Sequence, residues 1–99
     1  MEYFKMNYPE LDEIRQKKQP SIPIFYPPFV IYFLFNADQL VYIGKSKNLV
    51  NRIMYHKEGK IFTDVAIVET TAEDYDLLEC YYINKYKPEY NLILIGDQG

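Results

Sequence analysis

Two apolar runs joined by a short polar turn constrain this chain most strongly. Phe29–Phe35 is an unbroken run of apolar, β-branched and aromatic residues, which indicates a buried strand. Leu40–Ile43 is a second apolar run, and Gly44 is expected to end it. Residues 36–39 supply the turn. Because two strands joined by so short a loop pair in antiparallel fashion, the chain is predicted to fold around a hairpin.

A helix and a third strand are predicted to follow the hairpin. The helix covers residues 48–58, with Ser46 or Asn48 as its N-cap and Gly59 at its C′ position. The strand covers residues 61–68, which are rich in β-branched and apolar side chains.

A second helix completes the predicted domain. It opens at the capping-box pattern of Thr70 and Glu73, runs to about Tyr86, and is stopped by Pro88. The element order is then β-β-α-β-α. This order predicts an α+β fold in which helices flank a small antiparallel three-stranded sheet.

The first 28 residues are predicted to form an N-terminal arm, and residues 29–95 the folded domain. The arm combines a short helix, with Pro9 at its N1 position, and a Pro-rich extended segment. We expect residues 21–28 to be required for folding and residues 1–8 to be dispensable.

Length and composition exclude several classes of protein. Ninety-nine residues allow one domain. The single cysteine, Cys80, rules out an intramolecular disulfide and a multi-cysteine zinc site. The sequence has no apolar run near the ~20 residues that a membrane span needs, so no membrane partner is expected. With no secretory signal, the expected compartment is the cytoplasm.

Charge is distributed unevenly around an acidic average. The net charge is −3, which argues mildly against a nucleic-acid partner. However, residues 45–60 hold five basic residues and one acidic residue, whereas residues 61–80 hold six acidic residues and no basic residue. A phosphate cradle beside a metal-binding carboxylate has this pattern, and so do two ordinary solvated faces.

Glu79 is the strongest local anomaly. On a helical wheel it lies within the apolar stripe of the second helix, beside Ile83 and Tyr86. A carboxylate on an apolar face is costly unless it is paired, hydrogen-bonded or metal-bound. Glu79 therefore either accepts hydrogen bonds from tyrosines, pairs with an arginine, or has a function.

Arg52 and His56 form a second candidate group, because residues four apart share a helix face. Asn48 extends that line by one turn. Arginine suits bidentate contact with phosphate, and histidine can move a proton near neutral pH. A solvated basic face is the alternative.

Tyr32 and Tyr42 lie on neighbouring strands of the predicted hairpin. Tyr32 is also compatible with an ordinary core position. The sequence Gly44-Lys45-Ser46 follows Tyr42 and matches the end of a phosphate-binding P-loop. The P-loop pattern G-x-x-x-x-G-K-S/T needs a glycine at position 39, which is Gln39, so that interpretation fails.

These elements together resemble the GIY-YIG nuclease family. The naming motif is matched by Ile31-Tyr32 and by Tyr42-Ile43-Gly44, although Val30 stands where the family has its first glycine. Arg52, His56 and Glu79 follow in the family's order. Lys87-Pro88-Glu89-Tyr90-Asn91 closes the pattern. The resemblance spans residues 29–92, and the ordered set is far more specific than any one element.

The resemblance implies a metal-dependent endonuclease that hydrolyses phosphodiester bonds in DNA, with structural selectivity or weak sequence specificity. Glu79 would hold one divalent cation, Mg²⁺ or Mn²⁺. Tyr32 would be the leading general base and His56 its competitor. The implied catalytic residues are Tyr32, Tyr42, Arg52, His56 and Glu79; the implied nucleic-acid contacts are Lys45, Ser46, Lys47, Asn48 and Lys57; the implied structural residues are Gly44 and Asn91.

Two other functions fit the same residues. One is a non-cleaving nucleic-acid-binding or regulatory module, favoured by Val30 and by the acidic balance. The other is a protein-interaction domain with a tyrosine-rich surface. With no second DNA-reading motif in the sequence, specificity is expected to come from the arm, from DNA structure, or from a homodimer or a partner protein.

Overall fold

The computed structural model describes Phe4 and residues 6–21 and 26–92. Residues 22–25 of the predicted arm and 93–95 of the predicted domain lie outside this part. The predicted order β-β-α-β-α is confirmed, with a short helix before it. In chain order the elements are α1 (Leu11–Gln16), β1 (Val30–Asn36), β2 (Gln39–Ser46), α2 (Leu49–Lys57), β3 (Asp64–Glu69) and α3 (Tyr75–Tyr86).

The three strands form one antiparallel sheet of order β2-β1-β3. The central strand β1 is buried on both faces, which explains its unbroken apolar run. Alternate residues of a strand point to opposite faces. Ile31, Phe33 and Phe35 therefore pack in one core with α1 and α3, whereas Tyr32 and Leu34 pack in a second core with α2.

Two strand boundaries differ from the prediction. Strand β2 does not end at Gly44 but continues to Ser46, because Gly44 pairs with Tyr32 inside the ladder. Strand β3 begins at Asp64 rather than at Ile61, whose side chain is 71% exposed. An apolar residue alone is a weak sign of a strand, because a loop can also expose it.

The helix ends also differ from the prediction. The capping box at Thr70 and Glu73 is wrong: α3 begins at Tyr75, and the hydroxyl oxygen of Thr71 accepts a hydrogen bond from the Asp74 N–H at 3.1 Å. Pro9 precedes the N-cap of α1 and so is not at N1. Gly59 follows the C-cap of α2 as expected, but without a positive φ.

Two described residues of the predicted arm lie in the core. Ile14 of α1 and Tyr8 are buried in the core that contains Phe33. Gln19 exchanges backbone hydrogen bonds of 2.9 and 2.8 Å with Val65, which adds a bridge to the edge of β3. Tyr8 does not fit the expectation that residues 1–8 are dispensable. None of the helices in the described part of the chain is long and apolar enough to cross a membrane.

Removal of the Tyr8 hydroxyl is expected to destabilise the fold. This hydroxyl donates a hydrogen bond of 2.6 Å to the Asp74 carboxylate and shares one of 2.9 Å with the Thr70 hydroxyl, all within buried surroundings. Tyr8→Phe should lower the free energy of unfolding by about 1–3 kcal/mol in a denaturant titration. Tyr81→Phe removes an exposed hydroxyl, so it should cost under about 0.5 kcal/mol. Equal losses would contradict this assignment.

Candidate active site

Three aromatic side chains from three elements meet on the α2 side of the sheet. Tyr32 projects from β1, Tyr42 from β2 and His56 from the last turn of α2. The ring centroids of Tyr32 and Tyr42 are 6.0 Å apart, and that of His56 lies 5.6 Å from Tyr32 and 4.6 Å from Tyr42. The structure thus brings together two groups that the sequence analysis treated separately, the tyrosine pair and the Arg52–His56 pair.

A hydrogen bond of 2.7 Å joins the Tyr32 hydroxyl to Nε2 of His56. Tyr32 is fully buried, and His56 is only 2% exposed. His56 is therefore not part of a solvated basic face. Its other ring nitrogen, Nδ1, is buried and has no hydrogen-bond partner within the described part of the chain. A buried imidazole with an unsatisfied nitrogen is unusual for a purely structural residue.

Burial sets the protonation states of this pair. It raises the pKa of the Tyr32 hydroxyl well above its ordinary value, and the neighbouring Tyr42 adds to that effect. Burial also lowers the pKa of His56 to about 4, helped by the positive charges of Lys60 and Arg52. At neutral pH the pair therefore consists of a protonated phenol and a neutral imidazole.

Gly44 makes room for the Tyr32 ring. A Cβ atom at Gly44 would lie 2.4 Å from both Cζ and the hydroxyl oxygen of Tyr32. The two residues face each other across β1 and β2, so neither backbone can withdraw without breaking the ladder. Glycine is required here by the close approach of a side chain and not by a turn.

Asn91 fixes the strand that carries Tyr42. Its Oδ1 accepts a hydrogen bond from the Ile43 N–H, and its Nδ2 donates one to the Ile43 carbonyl, both at 2.8 Å. Asn91 lies in the helical turn of residues 89–92 that follows Pro88. This contact supports the predicted structural role of Asn91.

Arg52 and Glu79 border the aromatic group with opposite charges. Arg52 is exposed on α2, and its guanidinium is near enough to lower the pKa values of Tyr32, Tyr42 and Glu79. Glu79 projects from α3 with 22% of its side chain exposed, and burial is the main cause of its raised pKa. Burial is the main cause of the raised pKa of Tyr42, and the charge of Glu79 raises it further. A cation thus lies near both phenols, and a carboxylate lies near that of Tyr42.

Lys45 of β2 lies close to the Glu79 carboxylate of α3. Its Nζ lies 4.0 Å from Oε1 of Glu79 and forms an ion pair with Asp76, one turn earlier on α3. Burial of Glu79 is thus only partly compensated by Lys45. The sequence analysis considered tyrosine hydroxyls or an arginine as partners for Glu79. In the structure its ion-pair partner is Lys45.

A divalent cation fits Glu79, although no all-protein cage surrounds it. Within the described residues no three acidic, histidine or cysteine side chains form a group that could hold a metal ion. Mg²⁺ typically takes one or two carboxylates and completes its shell with water and substrate phosphate. A half-buried carboxylate with a raised pKa is a donor that such a cation would stabilise.

The residues predicted to contact nucleic acid differ in their exposure to solvent. Lys47 and Asn48 are exposed at the start of α2, and Lys57 is exposed at its end, where it lines a cavity with Ile53. Ser46 is buried, and its hydroxyl oxygen accepts a hydrogen bond of 2.8 Å from the Asn48 N–H. This position suits a role in shaping the start of the helix, and a contact of Ser46 with nucleic acid stays a prediction.

Lys60 was missed by the sequence analysis as a member of this site. Its Nζ lies 4.8 Å from the ring centroid of Tyr42 and 5.9 Å from that of Tyr90. Its backbone N–H donates a hydrogen bond of 2.9 Å to the His56 carbonyl. The loop after α2 therefore folds back over the site. The residue follows a helix-ending glycine, and no spacing rule from the sequence brings it back to the strands.

The fold and the side chains at its centre define a small α+β catalytic domain. The family model described as GIY-YIG catalytic domain matches residues 28–91. The chain therefore belongs to the GIY-YIG family, which confirms the resemblance found in the sequence and the predicted class of protein, a GIY-YIG-type endonuclease domain.

Three curated relatives are much longer than this chain. It is 39% identical to UvrABC system protein C of Borrelia duttonii (strain Ly) over 80 residues, covering 69% of this chain and 13% of the relative. The same-named proteins of Pseudoalteromonas atlantica and Bacteroides thetaiotaomicron are 33% and 37% identical over 83 residues; these matches cover 70% and 72% of this chain and 14% of each relative. The chain thus spans about one seventh of their length. No solved structure matches it significantly.

Addition of one methyl group at Gly44 is expected to disrupt the site. Gly44→Ala places Cβ against the Tyr32 ring, so it should lower the free energy of unfolding by about 1–3 kcal/mol or more. In a Tyr32→Ala background the same change should cost less, because the overlapping ring is gone.

Gly59→Ala is the matched control, because an added Cβ there has no neighbour within 4 Å and the backbone φ is not positive. Denaturant titrations of Gly44→Ala, Tyr32→Ala, the double variant and Gly59→Ala give the free energies of unfolding to be compared. A Gly44→Ala variant as stable as Gly59→Ala would contradict the close approach.

Protonation of His56 is expected to contribute to acid destabilisation. Its pKa is about 4 in the folded protein and ~6.5 in an unfolded chain, so between these values the unfolded state binds more protons. The free energy of unfolding should therefore rise from pH 4 to pH 6.5, by ~3 kcal/mol at most from this group, and then level off.

Carboxylates also titrate in this range, so the measurement is the difference between wild type and His56→Gln. Denaturant titrations at several pH values should give a shallower slope for the variant. Parallel curves would show that His56 is not held neutral by the fold.

Proposed function

We propose that this chain is a metal-dependent endonuclease domain that hydrolyses phosphodiester bonds in DNA. The observation that carries the proposal is the buried hydrogen bond between Tyr32 and His56, which lies beside Tyr42, with Arg52 near all three rings and Glu79 near Tyr42. Hydrolysis needs a proton acceptor for the attacking water, positive charge at the phosphate and assistance for the leaving oxygen. Each need is met by a residue of this group.

Tyr32 and His56 are proposed to act together as the general base. A buried phenol with a raised pKa is not ionised at neutral pH, so it can take a proton from water only as it gives up its own. The receiving atom is Nε2 of the neutral His56, 2.7 Å away. Lys60 and Arg52 help to lower the pKa of His56. A bound phosphate would offset these charges, so substrate binding would make His56 a better proton acceptor.

Arg52 is proposed to bind the phosphate. It is exposed, and its guanidinium offers donors in a planar fork that matches two phosphate oxygens. Tyr42 lies between Tyr32 and the Glu79 side, so its hydroxyl would orient the water or the phosphate. Lys45, held by Asp76 and Glu79, adds positive charge at the same end.

Glu79 is proposed to hold one divalent cation, Mg²⁺ or Mn²⁺. When bound, such an ion polarises the phosphate and stabilises charge on the leaving oxygen. Glu79 is the one residue of this group that supplies a carboxylate to the cation. Lys45 must then share Glu79 with it, which the separation of 4.0 Å between Nζ and Oε1 allows.

Selection of the DNA site is proposed to depend on DNA structure more than on base sequence. The exposed basic residues around the site, including Lys47 and Lys57, suit the phosphate backbone, which carries no sequence information. A homodimer or a partner protein would add specificity. The name of the relatives refers to a multi-protein UvrABC system. By analogy we propose a cytoplasmic role in DNA repair or recombination for this chain, with residues 29–95 as the catalytic unit.

Loss of the Glu79 carboxylate is expected to abolish most cleavage. Wild-type protein should nick or cut DNA in Mg²⁺ or Mn²⁺ but not in EDTA, and Glu79→Gln should reduce the rate by ~10²–10³-fold. Supercoiled, linear, single-stranded and branched DNA should be compared, with products measured on denaturing gels.

Glu13→Gln is the matched control, because Glu13 is an exposed carboxylate on α1, remote from the site in the fold. It should cleave like wild type. Folded wild-type protein that binds DNA but cleaves none of these substrates would overturn the proposal in favour of a non-cleaving nucleic-acid-binding module.

A further inference from the structure

An exposed aromatic ring lies directly beside the proposed catalytic group. Tyr55 precedes His56 on α2, and their ring centroids are 5.5 Å apart. The guanidinium carbon of Arg52 lies 5.8 Å from the centre of the Tyr55 ring. Even so, 64% of the Tyr55 side chain is exposed. Tyr55 therefore presents a large, exposed aromatic ring beside the buried pair of Tyr32 and His56.

The Tyr55 ring forms one wall of a small surface cavity. The cavity has a volume of about 220 Å³ and is lined by Tyr55, Glu58, Gly59 and Lys60. It is smaller than a site for a drug-sized ligand. Gly59 contributes no side chain to the lining, and an added Cβ there would meet nothing within 4 Å. Lys60 belongs both to this cavity and to the surroundings of Tyr42.

We propose that this cavity is a subsite for one unstacked nucleobase, next to the phosphate that is cleaved, with the Tyr55 ring as its stacking surface. The inference rests on the proposed function and adds to it the part of the substrate that lies beside the scissile bond. Arg52 links the two sites, because the same guanidinium borders the catalytic tyrosines and the Tyr55 ring.

The chemistry of the lining favours a base over a second phosphate. Every base has a π-face, and stacking of bases on exposed aromatic residues is a common means of binding single strands without reading their sequence. The Glu58 carboxylate would repel a phosphate but can accept a hydrogen bond from an amino group on a base edge. Lys60 and Arg52 supply the positive charge for the adjoining backbone.

An unstacked base is present at flaps, branches and single strands but not within an intact duplex. A subsite for such a base would therefore make the enzyme prefer these structures, because a duplex would have to lose stacking energy first. This gives a physical basis for the structural selectivity proposed above.

The test measures binding and cleavage separately. In binding, full-length protein carrying Glu79→Gln is titrated in EDTA with single-stranded and flapped DNA that contains the fluorescent base 2-aminopurine at successive positions. Stacking on Tyr55 should quench the fluorescence at one position. Adding Tyr55→Ala should abolish that quenching and weaken binding by roughly tenfold, whereas Tyr55→Phe should retain both.

In cleavage, an abasic nucleotide is placed at each position around the cut in the DNA that wild type cleaves best. One position should slow wild type by roughly tenfold and should not slow Tyr55→Ala further, because the contact is already lost. Met54→Ala is the matched control, because Met54 is the preceding residue of α2 and is 62% exposed but does not line the cavity.

The outcomes separate this inference from the proposed function. Cleavage by Tyr55→Ala at the wild-type rate, with unchanged affinity and quenching, would overturn the base subsite and leave the nuclease intact. Quenching that depends on Tyr55, in a wild-type protein that never cleaves, would support the subsite and overturn the nuclease. Equal losses in Tyr55→Ala and Met54→Ala would also overturn the subsite.

Discussion

The Tyr32 ring lies against the backbone of Gly44, and the absence of a side chain there lets the phenol extend beneath β2 to His56. The central strand holds Tyr32 by pairing on both of its edges, and Asn91 holds the neighbouring strand through both polar backbone groups of Ile43. The hydroxyl therefore has little freedom to move. The hydrogen bond to His56, and the protonation states that follow from it, depend on this one close contact between a ring and a glycine.

Burial and the charge of Arg52 act in opposite directions on the pKa of Tyr32 but in the same direction on the pKa of His56. Burial favours the uncharged forms, so it keeps the phenol protonated and the imidazole neutral. Arg52 has the further effect of lowering the pKa values of both groups. A negatively charged phosphate near Arg52 and Lys60 would weaken that effect at His56. In the proposed mechanism His56 is a weak base in the free protein and would become a stronger one when a phosphate binds.

Much of this arrangement could be predicted from the sequence. The parts that could not be predicted have one physical cause in common. The grouping of Arg52 with His56 and of Tyr32 with Tyr42 follows from helical spacing and from neighbouring strands, which are local rules. The hydrogen bond that joins the two groups, between Tyr32 and His56, was not predicted. The extent of β2 through Gly44 was missed because glycine usually marks a strand end, and the packing that requires it comes from another strand. Lys60, Tyr55 and the burial of Tyr8 depend on how loops and the N-terminal segment return to the sheet. Such long-range contacts leave no periodic signal in the chain.

The acidic net charge does not weaken the case for a DNA substrate, because several acidic side chains are used to hold the fold together. Asp74 accepts the hydrogen bond of Tyr8, Glu10 is bonded to Tyr81 and Lys85, and Asp38 forms an ion pair with Lys18. These contacts tie the N-terminal segment to the sheet and to α3. An approaching phosphate responds to the local electrostatic field. The exposed surface of α2 carries Arg52 and Lys57, and Lys60 follows just after the helix. A short chain can therefore be acidic on average and still present a basic surface where its catalytic residues lie.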